Sequence, residues 1–393
     1  MNKEQTIFSQ LMELVPKHEF NRCVKRYCKN INPRKFSFWD QFLAMAFAQL
    51  TFRESLRDIE ECFSALHSKT YHMGIRGRVI RSTLAYSNET RDWRVWSDFA
   101  QVLIERARKL YAKEKLEFEF DNVAYALDST TITLCLTLFP WARFGSKKKG
   151  IKLHTQLDLR GNIPSFVHIS QAKVNDVNFL DELILEAGAL YVMDRGYFDF
   201  ARLFQFVLIG AFFVTRLKKN VAYRRIKIFS RASTGAIRMD AAIVPLSKTA
   251  RKNYPERIRL IEFYDEERKK KLVFITNNFA LPAQTVADIY KARWQIELFF
   301  KWIKQHLRIK AFFGTSENAV KTQIWIAISV YLLVAILKKE LRLKKSLHSI
   351  LQVLSICSID KIPILSALNH TNKDSQPLAN SNQLNLFDIR IGH

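Results

Sequence analysis

The stretch that most constrains this chain is residues 282–310, PAQTVADIYKARWQIELFFKWIKQHLRIK. It predicts one long helix. Pro282 stands where a first-turn proline is tolerated, and no Gly or Pro follows until Gly314. Arg293, Glu297 and Lys304 lie 3, 7 and 14 residues beyond Tyr290. At roughly 100° per residue they fall at about −60°, −20° and −40° from it, so all four share one stripe. A phenol, a guanidinium, a carboxylate and an ammonium on one edge suit an anion and a metal ion together. A solvated helix face with a Glu–Lys pair carries the same charges, so the stripe alone leaves both readings open.

The charge balance narrows the partner. Lys and Arg number 62 against 37 Asp and Glu, a net charge of +25. Such an excess points to a polyanion, either nucleic acid or an anionic membrane surface. The longest apolar run is Ile324–Leu337, fourteen residues. That is short of the roughly 18 needed to span a bilayer, so a buried core helix is expected and no membrane partner. Cys23, Cys28, Cys62, Cys135 and Cys357 form no CxxC pair and no zinc pattern. They read as reduced thiols of a cytoplasmic protein. Glu4 and Glu13 interrupt the N-terminal stretch, which argues against a signal peptide.

The length predicts two or three domains. Residues 1–75 read as a helical domain with a basic face built from Lys17, Arg22, Lys25, Arg26, Lys29, Arg34 and Lys35. Nucleic-acid contact is the favoured reading of that face. Residues 76–119 read as a basic linker and an amphipathic helix, with Trp93 and Trp96 as core anchors. From residue 120 the pattern changes to short apolar runs: VAYAL ending in Asp128, two alternating segments joined at Gly161-Asn162, and ALYVM ending in Asp194. Residues 175–187 and 198–211 read as helices, and 212–218 as a strand. Residues 120–218 therefore predict the first part of a mixed α/β sheet with helices packed on it. Residues 219–280 read as an inserted β subdomain separate from that sheet. Residues 281–345 return to helices, and 346–393 to a short helix and a disordered polar tail.

Asp128 and Asp194 each follow a short buried-type strand, at the rim where α/β sheets bind ligands. With Glu297 from a helix laid alongside, they supply three hard oxygen donors, a set suited to Mg²⁺ or Mn²⁺. Two such ions can activate a water or a 3′-hydroxyl on one side of a phosphodiester and stabilise the leaving oxygen on the other. Each aspartate alone would serve equally as a helix cap or turn residue. Their joint occurrence with the Tyr290–Lys304 stripe favours the site.

These residues carry a resemblance. DIYKARWQIELFFKWIKQHL matches the Tyr-x2-Arg-x3-Glu-x6-Lys signature of the insertion-sequence-four group of DDE transposases. YALDSTTI resembles that group's first-aspartate motif and YVMDRGYFDF its second. The resemblance spans about residues 120–340, and the helical N-terminal segment is similar to that of many bacterial members. It implies an α/β (α+β overall) chain: a ribonuclease H-like mixed sheet with an inserted β subdomain, a helical N-terminal domain before it and C-terminal helices after it. It implies that Asp128, Asp194 and Glu297 bind two Mg²⁺ or Mn²⁺ ions, and that Tyr290, Arg293 and Lys304 handle DNA near the scissile phosphate. The activity implied is that of a bacterial insertion-sequence transposase. Such an enzyme binds terminal repeats in double-stranded DNA, hydrolyses the element ends and joins the 3′-hydroxyls to target DNA, as a homodimer on paired ends. The alternatives are a nuclease of the same fold without strand transfer and an inactive or domesticated DNA-binding derivative.

Physical chemistry suits these roles. A guanidinium clamps phosphate bidentately, an ammonium acts as a point charge, and a phenol hydrogen-bonds a phosphate or stacks on a base. Further DNA-contact candidates are Arg195, Trp294, Lys147, Lys148 and Lys149. His154 reads either as facing the site or as structural. Tyr223 and Tyr264 are the candidate aromatics of the β insertion.

Overall fold

Among the described residues, seven helices precede the first strand: α1 (Ile7–Met12), α2 (Lys17–Tyr27), α3 (Phe38–Leu50), α4 (Leu56–Ala65), α5 (His67–Thr70), α6 (Arg81–Thr90) and α7 (Arg94–Tyr111). The structure is a computed structural model that describes residues 5–28, 36–135, 137–142, 150–306 and 312–369. Short polar caps start several helices. Ser37 and Asp40 close a capping box on α3, and Ser55 accepts the Asp58 N–H on α4. The stretch expected as a linker contains α6. Helix α7 buries Val95, Trp96, Phe99, Ala100, Leu103, Ile104, Ala107 and Tyr111, spaced three and four apart, so its inner face is continuous.

Nine strands follow: β1 (Ala124–Thr133), β2 (Gly150–Asp158), β3 (Ile163–Gln171), β4 (Leu190–Met193), β5 (Phe212–Arg216), β6 (Tyr223–Arg231), β7 (Ile237–Pro245), β8 (Ile258–Asp265) and β9 (Lys270–Thr276). They form one sheet in the order β3-β2-β1-β4-β5-β9-β8-β7-β6. Strands β1, β2 and β3 pair antiparallel, with Gly161 and Asn162 at φ of 78° and 58° in the turn between β2 and β3. Strands β4 and β5 run parallel to β1. This is the ribonuclease H-like mixed core.

The inserted strands do not stand apart as expected. β9 pairs antiparallel with β5, Val214 opposite Thr276 and Arg216 opposite Phe274, so the insertion extends the same sheet. The reason is the open edge of β5, whose backbone groups need a partner. β9 offers buried Phe274 and Ile275 beside it. A second difference lies at residues 175–187, where a 3-10 turn, Asp176–Glu182, replaces the expected helix. Only Phe179 and Leu180 are fully buried there, and Ile184 is exposed, which is too little packing to hold a longer helix.

Helices α8 (Phe200–Ile209) and α9 (Lys248–Asn253) lie on one face of the sheet, over a core of Tyr125, Leu127, Tyr191, Met193, Phe206, Phe213 and Tyr254. The other face carries the larger core, shared with α10 (Ala283–Ala292), α11 (Trp294–His306), α12 (Glu317–Glu340), α13 (Leu347–Cys357) and α14 (Ile364–Asn369). Helix α12 extends well beyond the apolar run that marks it. It is long and apolar enough to cross a membrane by composition, yet 94% of its most apolar window is buried inside the protein. It packs on α3, α6 and α7, so the N-terminal helices share their core with the C-terminal half. The polar tail from residue 370 lies outside the described residues.

One buried ion pair ties the insertion to the helix that follows it. Arg259 on β8 bonds both oxygens of Asp240 on β7, at 2.9 and 2.7 Å. Its remaining nitrogen donates to Asn278 O and Leu281 O, in the loop that leads into α10. Replacing Arg259 with Met strands the Asp240 charge in the interior. We expect a loss of about 3–5 kcal/mol in chemical denaturation; a loss below about 1 kcal/mol would show that the pair does not anchor the loop.

Candidate active site

Strand pairing sets two carboxylates side by side. Leu127 is opposite Met193 in the last parallel pair of β1 and β4, so Asp128 and Asp194 are the next residues on adjacent strands. β1 itself runs on to Thr133, with Asp128 opposite Thr155 on β2. Asp128 thus lies inside its strand, not beyond its end as the apolar run suggested. Alternation fixes the direction of both side chains. Ala124, Ala126, Leu190 and Val192 face the larger core, and two residues on from Ala126 and Val192 the same face is reached by Asp128 and Asp194.

The helical segment crosses this face, and it is broken. Helix α10 ends at Ala292, Arg293 has φ −50° and ψ −29°, and α11 begins at Trp294 with Ile296 N–H donating to Arg293 O. The single helix expected over 282–310 is therefore two, and residues 307–310 lie outside the described residues. Glu297 sits in the first turn of α11, where the helix dipole favours a carboxylate.

Arg293, at the junction, links the carboxylates. Its Nη1 donates to Asp128 Oδ2 at 2.9 Å and its Nη2 to Glu297 Oε1 at 2.5 Å. Asp128 also accepts from its neighbour Ser129 N–H, and Asp194 caps the following 3-10 turn by accepting from Gly196 N–H. A cleft of about 420 Å³ opens beside the site, lined by Asp128, Ser129, Thr130, Glu297, Phe300, Lys301 and Lys304. Lys304 donates to Thr131 O at 2.9 Å.

The other expected residues are placed as follows. Tyr290 is partly buried, its ring 4.7 Å from that of Phe274 and 5.8 Å from the Arg293 guanidinium carbon, so its face is covered from within. Burial raises its phenol above the ordinary value. Trp294 is 51% exposed, and Arg195 is exposed on the turn after Asp194. Lys147, Lys148 and Lys149 lie outside the described residues. His154 is 1% exposed, hydrogen-bonded to Ser170, and pushed down to about 4 by burial, so it is a structural neutral imidazole. Tyr223, at the start of β6, and Tyr264, on β8, lie within the insertion, each beneath an arginine, Arg225 and Arg238.

Two site neighbours escaped the reading of the chain. Lys301 is one turn from both Glu297 and Lys304, and that spacing could have found it. Arg216 at the end of β5 touches Tyr290, and only the sheet order places it there.

Burial dominates the electrostatics. It pushes the Asp128 carboxyl up to about 6, with the Arg293 charge and the Ser129 N–H opposing and the Asp194 and Glu297 charges adding to the rise. For Arg293, burial works against the charge, but Asp128, Tyr290 and Glu297 outweigh it and raise its pKa. As placed, no three Asp, Glu, His or Cys side chains among the described residues form a ready metal cage. The chemistry of the donor set nevertheless suits a cation, since the Arg293 guanidinium already bridges two of the three carboxylates.

The fold and this cleft define a ribonuclease H-like α/β protein with carboxylates side by side on adjoining parallel strands, Asp128 within β1 and Asp194 just after β4. The family described as Transposase DDE domain matches residues 119–333, more than half of the chain, and the chain belongs to that family. A family described as a domain of unknown function matches residues 3–76. The chain is 35% identical to a protein named as a transposase in Sinorhizobium fredii, over 53% of this chain and 59% of that one. It is 31% identical to one named as a transposase for insertion sequence element IS5377 in Geobacillus stearothermophilus, over 57% and 59%. One named as a transposase for insertion sequence element IS4SA in Synechocystis is 25% identical over 81% and 88%. The matched region spans about three-fifths of the length of the first two relatives.

The raised Asp128 pKa carries a sign that can be measured. Between the unfolded value of 3.8 and about 6 the folded protein holds the Asp128 proton more tightly than the unfolded chain does. That contribution to stability is fully present below the lower value and is lost as pH rises through the upper one. The difference in unfolding free energy between wild type and Asp128→Asn should therefore shift by about 1–3 kcal/mol between pH 4 and 7, in the direction of relative loss for the wild type. A flat difference over that range would place Asp128 in water rather than in the buried site.

Proposed function

We propose that this protein is the transposase of a bacterial insertion sequence. In this reading it recognises the element's terminal repeats in double-stranded DNA, hydrolyses the phosphodiesters at the ends and joins the freed 3′-hydroxyls to target DNA by transesterification. It acts in the cytoplasm, as a homodimer on paired ends. The observation that carries the reading is the register of β1 and β4, which sets Asp128 beside Asp194 opposite Glu297, in a chain of the Transposase DDE domain family. The net charge of +25 supplies the general attraction to DNA. The N-terminal segment, residues 1–75, is assigned a DNA-contact role through its basic residues, of which Lys29, Arg34 and Lys35 lie outside the described residues.

Asp128, Asp194 and Glu297 would hold Mg²⁺ or Mn²⁺, and three hard oxygen donors fit either ion. When bound, the metal supplies Lewis acidity and lowers the pKa of an attacking water or 3′-hydroxyl. The chain's own residues do the rest. Arg293 keeps Asp128 and Glu297 within the span of one guanidinium and offers bidentate geometry to a phosphate. Lys301 and Lys304 place positive charge along the cleft where the phosphodiester backbone would lie. Tyr290, wedged between Phe274 and Arg293, fixes the guanidinium plane more than it offers a stacking face. Trp294 and Arg195, both exposed, are assigned to flanking DNA, with the Lys147–Lys149 run.

The test uses the full chain, Mg²⁺ and a duplex carrying the element's own ends. Glu297→Gln should abolish cleavage, at least a thousandfold, while end binding in a mobility-shift assay stays within about threefold. Persistent cleavage by that variant would remove Glu297 from the site.

A further inference from the structure

We propose that Asp176 is a positioning residue for the Asp128–Asp194 pair, acting from the opposite face of the sheet; this rests on the reading of those aspartates as the metal-binding pair. Alternation along β1 turns Tyr125 and Leu127 toward the smaller core, so Ser129 points there too, back to back with Asp128. Asp176 opens the 3-10 turn after β3 on that side. Its Oδ1 accepts from Ser129 Oγ at 2.5 Å and from Lys152 Nζ at 3.0 Å.

Lys152 is 7% exposed and its ammonium also donates to Val174 O at 2.7 Å. The imidazole of His154, 4.0 Å from the same carboxylate oxygen, is neutral and adds no charge. The Lys152–Asp176 pair joins a buried ammonium to a partly exposed carboxylate, and its geometry is held because the lysine charge left alone would be costly.

Asp176 also borders the turn that follows the second aspartate. A Cβ on Gly196 would lie 2.9 Å from Asp194 Oδ1 and 3.8 Å from Asp176 Oδ2. Both carboxylates thus border the space that a side chain at Gly196 would fill. Tyr197, the next residue, is fully buried, and burial together with the Asp128, Asp176 and Asp194 charges keeps its hydroxyl protonated. One carboxylate therefore bonds the residue after Asp128 and backs the turn that Asp194 caps. It braces the middle of β1 and the turn after β4 without entering the cleft.

The distinguishing variant is Asp176→Asn combined with Lys152→Met, which removes the buried ammonium together with its carboxylate partner, and with them the need to pair. The double variant should unfold within a few degrees of wild type and bind end DNA normally. Its affinity for Mn²⁺ alone, read by electron paramagnetic resonance of free Mn²⁺, should fall about 10- to 100-fold, the usual cost of losing a partner that orients metal ligands. Its kcat for cleavage should fall with KM unchanged. A purely structural role predicts wild-type Mn²⁺ affinity once stability is restored, and that result would overturn the proposal. If the double variant does not fold, Ser129→Ala, which leaves the ion pair intact, must lower Mn²⁺ affinity at least threefold at unchanged stability; unchanged affinity overturns the proposal equally. Glu297→Gln run alongside separates the two levels: cleavage by that variant would overturn the site itself, and this inference with it.

Discussion

The parallel pairing of β1 with β4 is the contact on which the rest depends. Ala124 to Leu127 and Leu190 to Met193 are fully buried, so both strands are packed on both faces. A strand buried on two faces has its register fixed by packing on each, and a slip of one residue would exchange the faces. Asp128 would then point into the core that holds Tyr191 and Phe206, and Ser129 would face α11. The apolar pairs before the aspartates thus decide where the charges lie. The alanines at 124 and 126 leave room for helices on the side where the carboxylates emerge.

Having placed like charges together, the fold must hold them. Asp128 is shielded from water and close to two other carboxylates, and burial is the larger part of its raised pKa. Arg293 offsets this at the cost of its own desolvation, which is why a guanidinium, always charged and able to bond two acceptors in a plane, suits the position better than a lysine. On the opposite face the problem is inverted: Lys152 is the desolvated charge and Asp176 its partner. The sheet separates an acidic site with a basic bridge from a basic site with an acidic bridge, and Ser129 touches both.

Much of this could be read from the chain because local signals and tertiary packing agree there. The runs VAYAL and ALYVM are apolar because they are buried on both faces, so each marked the approach to its aspartate. The stripe Tyr290–Lys304 kept its order because Arg293, Glu297 and Lys304 project toward one region even with the helix broken between them. The interruption was not legible: Arg293 and Trp294 are ordinary helix formers, and Arg293 itself keeps helical backbone angles where the two helices meet. Asp176 was hidden inside a stretch whose charges and leucines imitate a helix, and nothing local reveals that Lys152, 24 residues earlier, needs it. The attachment of the insertion to β5 was equally hidden, since an edge strand's demand for a partner is a property of the sheet.

The insertion has a consequence for the site that its sequence position conceals. Glu297 is 169 residues from Asp128, and a free helix after a separate subdomain would have no reason to return to β1. Pairing β9 with β5 removes that freedom. It brings the chain back along the sheet and ends it at Thr276, opposite Val214, next to the β4–β5 pair. From there the loop held by Arg259 leads into α10. The distance that the third carboxylate must be trusted to cross is thereby cut from the whole insertion to one short loop and two helices. Sheet continuity, rather than any property of the helix itself, is what delivers Glu297 to the aspartates.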